Sequence, residues 1–420
     1  MQRYEKYKRT GIDWVGEIPS HWEIKRLKFN TYIKARVGWH GLRSDEFSLD
    51  TGVYCVTGTD FVSGKVNWET CYRISEERYD EDPYIQLKED DLLITKDGTI
   101  GKVAIAKNMK ERATLNSGVF VVRPVNMEYT TDFMYWVLRS AVFTEFVNYT
   151  SKGSTIIHLY QDTFFNLPFV LPSLEEQTAI ANFLDEKTAV IDKLISNKEK
   201  LIELLKEERT AMINEAVSGE GKNWERKKIS HGFKTIGSGT TPASGNEEYY
   251  NGTINWLQTG DLNDSEINST SKKLTEKAIQ DYSTLRTFPK GSLVVAMYGA
   301  TIGKVGILNI ETTTNQACCV IANPISFDVI FVFWWFVGNR DLVISKSYGG
   351  GQPNISQELI RSLRLPCPPL KEQTQIAQKI QGEAQRIDSA ISKIDREIDL
   401  LNEYRTALIS EVVTGKIKVV

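Results

Sequence analysis

The chain has 420 residues, is 41% hydrophobic and 25% charged, and carries a formal net charge of −3. That length and balance suit two or three domains of ordinary soluble composition, with no long disordered tail. Five cysteines without a Cys-x-x-Cys pair, and only four histidines, argue against a disulfide framework or a zinc site and point to the cytoplasm. The N-terminal Met-Gln-Arg-Tyr-Glu-Lys-Tyr-Lys-Arg lacks the apolar core of a secretory signal. The most apolar run, residues 329–337, is far shorter than the ~20 residues of a membrane span, so it reads as a buried element.

Taken in chain order, the elements form one plan used twice. Trp22-Glu23-Ile24-Lys25-Arg26-Leu27 returns as Trp224-Glu225-Arg226-Lys227-Lys228-Ile229. Thr99-Ile100-Gly101-Lys102-Val103 returns as Thr301-Ile302-Gly303-Lys304-Val305. Pro172-x-Leu174-x-Glu176-Gln177-Thr178-x-Ile180-Ala181 returns as Pro368-x-Leu370-x-Glu372-Gln373-Thr374-x-Ile376-Ala377, and Arg209-Thr210-Ala211 returns as Arg405-Thr406-Ala407. The order is the same in both halves, which is the signature of an internal repeat.

Each half opens with a globular part. Short β-like runs such as residues 92–95 and 119–122 are punctuated by Gly, Asn and Asp, which is turn chemistry. An aromatic segment follows, residues 133–146 in the first half and 330–337 in the second, and is expected to be a buried helix.

Each half closes with a long helix, expected over residues 174–218 and 370–414. Ser173 and Glu176 make a capping box at the first start, and Gly219 and Gly415 stand where helix-ending glycines belong. A heptad seam runs through Leu184, Thr188, Ile191, Ile195, Lys198, Ile202, Leu205, Arg209 and Met212. Its twin runs through Ile380, Ala384, Ile387, Ile391, Ile394, Ile398, Leu401, Arg405 and Leu408. Alternating spacings of three and four are the coiled-coil pattern. Either the helices pair with each other, the simpler reading, or each packs on a partner protein. Two like halves burying like surfaces do so about a two-fold axis, which makes the helices antiparallel and the rod a spacer. The expected fold is therefore α+β: two globular β-rich domains in tandem repeat, separated by two long helices forming an antiparallel coiled coil. The expected boundaries are 1–172, 173–219, 220–368 and 369–420.

Enzyme motifs fail on inspection. Asp82-Pro83-Tyr84 lacks one proline of the adenine-methyltransferase motif and reads as a turn. Gly299-Ala300-Thr301-Ile302-Gly303-Lys304-Val305 has its glycines too close for a phosphate loop, and Val305 stands where a Mg²⁺-binding hydroxyl belongs. The repeated turns suit another role. Their glycines let backbone N–H groups approach a ligand, and Thr99, Lys102, Thr301 and Lys304, with Lys96 and Tyr298 beside them, suit phosphate oxygens. The plain alternative is a hairpin turn with its lysine in solvent. Reading bases requires amide or basic side chains at groove edges. Asn116, Asn315, Gln316, Gln352 and Asn354 are the candidates, with Lys152 and Ser154 in the loop that matches Gln352 and Asn354.

These motifs together resemble the Type I restriction-modification specificity subunit family across almost the whole chain. The stretch from Tyr7 to Trp22, Tyr-Lys-Arg-Thr-Gly-Ile-Asp-Trp-Val-Gly-Glu-Ile-Pro-Ser-His-Trp, is similar to that family's usual start. Pro-x-Leu-x-Glu-Gln-Thr before a long helix resembles its two spacers. The resemblance implies two target-recognition domains, each reading half of a split double-stranded DNA site, and a chain without chemistry of its own. It further implies two methyltransferase subunits and, in the full enzyme, two restriction subunits. No cofactor is expected in this chain; S-adenosylmethionine, ATP and Mg²⁺ would belong to those partners. No membrane partner is expected. A chain that grips DNA alone is usually basic, so the net charge fits best if partners share the phosphate contacts. Arg36-Val37-Gly38-Trp39-His40-Gly41-Leu42 and Ser238-Gly239-Thr240-Thr241-Pro242 each lack a twin, so an asymmetric site is expected. The rival from another class is a non-enzymatic scaffold with two β-rich domains that bind carbohydrate or peptide.

Overall fold

The computed structural model describes residues 2–37, 41–151, 158–346 and 354–419. The chain divides into two compact units, Met1–Asn197 with Arg396–Val420, and Lys198–Asp395.

In the first unit the strands of the two larger sheets are β1 (Thr31–Lys34), β2 (Val53–Val56), β3 (Phe61–Val62), β4 (Lys65–Val66), β5 (Tyr72–Ile74), β6 (Asp91–Thr95), β7 (Val103–Ala106), β8 (Ala113–Leu115) and β9 (Val119–Pro124). A six-stranded sheet runs β1-β9-β6-β7-β4-β3, and a three-stranded sheet runs β8-β2-β5. The central strands β6 and β9 are apolar on both faces because both faces are covered. Successive side chains alternate between two cores. Leu92, Ile94, Phe120 and Val122 enter the larger one, which holds the aromatic helix. Leu93, Val119 and Val121 enter the smaller one, toward β8 and β2.

The aromatic segment is not one helix. It divides into α1 (Thr131–Leu138) and α2 (Ala141–Thr150). Buried Ser140 makes the break: its hydroxyl donates to Val137 O at 2.7 Å and accepts from Val142 N at 3.2 Å. A serine that bonds the backbone on both sides ends one helix and caps the next. The first half of the long helix α3 (Leu174–Ser218) covers this core.

The second unit repeats the plan with β10 (Phe233–Gly237), β11 (Tyr250–Leu257), β12 (Ser265–Ile267), β13 (Lys272–Leu274), β14 (Leu293–Ala296), β15 (Val305–Leu308), β16 (Thr313–Thr314) and β17 (Cys318–Pro324). Its two larger sheets run β10-β17-β14-β15-β12 and β13-β11-β16. Strand senses match as well: β7 pairs β4 in parallel as β15 pairs β12, and β8 pairs β2 in parallel as β16 pairs β11. The aromatic helix is α4 (Val329–Gly338), N-capped by Asp328, and the last helix is α5 (Leu370–Val413). It ends one residue earlier than its expected bound.

The Pro-x-Leu-x-Glu-Gln-Thr motif is a structural clamp. Gln177 is fully buried; its amide oxygen accepts from Thr130 N at 2.8 Å, and its nitrogen donates to Glu128 O and Pro172 O, both at 3.0 Å. Gln373 does the same with Asp328 N at 2.7 Å, Ser326 O at 3.0 Å and Pro368 O at 2.8 Å. Each glutamine thus ties the start of a long helix to the start of the aromatic helix. The capping box is present: Glu176 N donates to Ser173 Oγ at 3.3 Å, and Ser173 N donates to the Glu176 carboxylate at 3.2 Å. That carboxylate also accepts from Trp22 Nε1 at 3.0 Å and meets His21 Nε2 at 2.9 Å.

Within each unit the long helices run antiparallel. In the first, Trp22 joins the start of α3 through Glu176 and lies against Gly415 beyond the end of α5, while further along α3 Asp192 pairs with Arg405. In the second, Gly219 beyond the end of α3 lies against Pro366, just before α5, and Arg209 pairs with Asp388 at 3.0 Å. Both terminal glycines sit at positive φ, 68° and 72°, as helix-ending residues in the left-handed region do. Every seam position named above is buried or half-buried.

Candidate nucleic-acid interface

The repeated turn closes the β6–β7 hairpin in the first unit and the β14–β15 hairpin in the second. Thr95 N donates to Lys102 O at 3.0 Å, and Ala296 N donates to Lys304 O at 2.8 Å. The second turn is one residue longer, the extra residue being Ala300. Thr95 rigidifies the first: its hydroxyl donates to Thr99 O at 2.5 Å and accepts from Lys102 N at 3.0 Å. Gly98, Gly101, Gly299 and Gly303 all adopt positive φ. Thr99 and Lys102 are exposed, while Thr301 and Lys304 are half-exposed. Lys304 Nζ lies 3.3 Å from Asn263 Oδ1, and no charged partner of Lys102 or Lys304 is present among the described residues.

Two further segments come to each hairpin. The Asn116 and Asn315 turns are equivalent: Asn116 N donates to Val56 O and Asn315 N to Leu257 O, both at 3.0 Å. Each asparagine uses its side-chain oxygen within its own turn, accepting from Ser117 N at 2.7 Å and Ala317 N at 3.1 Å. Lys96 N donates to Gly118 O and Met297 N to Ala317 O, which holds turn and hairpin together. The third segment arrives through Leu159 N donating to Lys96 O and Ile355 N donating to Met297 O. Exposed Asn354 lies there. Lys152, Ser154 and Gln352 fall outside the described residues.

The chemistry at this shared place differs between units. In the first, Asp97 Oδ2 lies 2.7 Å from Lys96 Nζ, and Asp97 Oδ1 lies 2.8 Å from His158 Nδ1. Burial alone would raise the Asp97 carboxyl, but the hydrogen bonds from Lys96 and His158 outweigh it and hold it below the usual range. Lys96 is therefore partly neutralised where it stands. Beneath the Asn116 turn, Arg36 is 2% exposed and donates to Leu115 O at 3.0 Å. In the second unit Tyr298 takes the place of Asp97 and lies near Gln316, whose Oε1 accepts from Thr241 Oγ1 at 2.5 Å. Burial raises the Tyr298 phenol above its usual value, so this cluster is uncharged.

Residues 44–205 and 221–400 match the family model described as the Type I restriction modification DNA specificity domain, once in each half. The chain belongs to this family. It is 24% identical over 443 residues to the putative type I restriction enzyme MjaX specificity subunit of Methanocaldococcus jannaschii, covering 99% of this chain and 97% of that one. Among solved structures, a chain from the work titled "Structural basis underlying complex assembly and conformational transition of the type I R-M system" superposes with TM-score 0.78 at 14% identity, covering 95% of this chain and 99% of that one. The HsdS subunit from Thermoanaerobacter tengcongensis gives TM-score 0.60 at 14% identity, covering 95% and 98%. Membership makes the chain a DNA specificity subunit, with a recognition role and no catalysis of its own.

For a specificity subunit, the candidates from sequence group as follows. The structure brings Lys96, Thr99, Lys102 and Asn116 to one place, and Tyr298, Thr301, Lys304, Asn315, Gln316 and Asn354 to the equivalent one. Asp97, His158 and Thr241 were missed. Asp97 stood in the turn itself, but nothing local marks His158, which is brought in by the fold. Asp82 serves as the expected turn, accepting from Tyr84 N at 3.2 Å. Among the described residues no cluster of three or more His, Cys, Asp or Glu could hold a metal ion, and no helix is long and apolar enough to cross a membrane.

Proposed function

We propose that this specificity subunit reads a split, asymmetric site in double-stranded DNA, one half through each loop cluster, and directs adenine methylation and restriction by partner subunits. The observation that carries the reading is one loop plan bearing two chemistries. A Lys96–Asp97–His158 cluster stands in the first unit where Thr241, Tyr298 and Gln316 stand in the second. Unlike readers on like frames read unlike sequences. Lys102 and Lys304 supply phosphate contacts, and Lys96, Thr99, Asn116, Lys152, Ser154, Thr301, Asn315, Gln352 and Asn354 belong to the same two surfaces. The working domains are residues 1–172 and 220–368, with 173–219 and 369–420 as the spacer. Two methyltransferase subunits would bring S-adenosylmethionine, two restriction subunits ATP and Mg²⁺, and the complex would act in the cytoplasm. The net charge of −3 accords with phosphate contacts shared among subunits.

The test is methylation sequencing of cells with and without this chain, in the presence of a cognate methyltransferase subunit. The expected result is a two-part motif that appears only with the chain. A motif that is unchanged by its removal overturns the reading.

A further inference from the structure

Ser238-Gly239-Thr240-Thr241-Pro242 has no twin in the first half, and its placement explains why the second unit needs it. The segment leaves β10 and crosses the end of β16, where Gly239 N donates to Thr314 Oγ1 at 2.9 Å. A Cβ on Gly239 would lie 1.9 Å from Thr314 O, so only glycine permits the approach. Beyond it the backbone is pinned repeatedly. Trp256 Nε1 donates to Thr240 O at 3.3 Å, Tyr250 OH donates to Pro242 O at 2.7 Å, and Ala243 N donates to Tyr282 OH at 3.1 Å. Thr241 is thereby held against Gln316, which sits in a turn fixed by Asn315. Gln316 is exposed, yet its amide oxygen is held by the Thr241 hydroxyl.

We infer that Thr241 is a positioning residue that presents the Gln316 amide for a two-point contact with adenine in the half-site read by this unit. The inference rests on the DNA-reading function proposed above. A primary amide has two acceptor lone pairs and two N–H donors. Thr241 uses one acceptor lone pair. What remains is one acceptor beside the N–H donors, and an acceptor–donor pair is the complement of adenine N6–H and N7 in the major groove. Guanine offers two acceptors there and would leave the amide oxygen unmatched. Holding the amide in advance also removes the entropy cost of ordering a long exposed side chain at binding.

The experiment uses the chain in complex with its methyltransferase subunit. Methylation sequencing gives the motif, and duplexes carrying 7-deazaadenine at each adenine of the second half-site are then titrated. One position is expected to lose about 5- to 150-fold in affinity with the native chain and nothing with Gln316→Ala. Gln316→Ala and Thr241→Val are expected to relax that same position alone, and Thr241→Ser to restore it. The inference is overturned if no adenine of the half-site depends on N7, if Gln316→Ala leaves the motif unchanged, or if Thr241→Val reads as the native chain does. In each of those outcomes a sequence-dependent motif survives, so the DNA-reading function stands. A native complex with no motif at all overturns both.

Discussion

The repeated motifs carry two kinds of residue, and the structure separates them. Gln177 and Gln373 are buried and fully hydrogen-bonded, whereas Lys102 and Lys304 carry charge near the surface of the two turns. Changing either lysine to Ala is expected to weaken binding to all sequences alike and to lower the salt slope by about one unit, read from binding isotherms across salt concentrations. If affinity and slope both stay put, the turns are structural only. Glu176 gives a second residue-level test. Burial pushes its carboxyl up, but hydrogen bonds from Trp22, His21 and Ser173 more than reverse this and hold it at about 2. A carboxylate depressed in the folded state stabilises fully above its ordinary pKa of about 4.3 and loses that effect as pH falls toward the folded value. Glu176→Gln is therefore expected to lower the unfolding midpoint at pH 7, with the gap to the native chain closing below about pH 4.3. A gap independent of pH would mean the charge contributes nothing. The sequence exposed the motif containing Glu176 and Gln177 but not their task, because both act on residues well separated from them along the chain.

At the scale of elements, the long helices were the most legible part. The three-four spacing, the Ser173 box and the terminal glycines are all local signals, and α3 spans the residues they bracket. The aromatic segment was less so, because apolar content around a whole helix hides where it breaks, and Ser140 had no periodic signature. If the long helices set the distance between readers, their length is the variable to change. Four residues inserted after Lys198, matched by four after Asp395, add about 6 Å at 1.5 Å per residue and rotate the attached part by only about 40°. The expected result, by methylation sequencing, is unchanged half-sequences with a gap longer by about one or two base pairs. A fixed gap with retained activity would show that the helices are not the ruler.

For the whole molecule, the duplication was plain in sequence because the repeated motifs are what hold the frame. The candidate base readers were less so, because Asn116, Gln316 and Asn354 lie between the motifs, on segments that the fold brings to the hairpins. Lys96 shows the limit: its sequence offers a cation, while the fold gives that cation to Asp97. The division of the chain also dictates an order of events in time. The second unit is one continuous stretch, Lys198–Asp395, so every part of its core is synthesised before the last helix is finished. The first unit waits for Leu408, Ile409, Val412 and Val413 to fill its core, and Tyr7 OH donates to Gly415 O at 2.9 Å. The unit made first is thus completed last. A chain stopped after Asp395 is expected to keep a protease-resistant second unit while residues 1–197 are digested. Equal resistance of both parts would mean that the first unit closes without its final helix, and that birth order, not core membership, sets the sequence of folding.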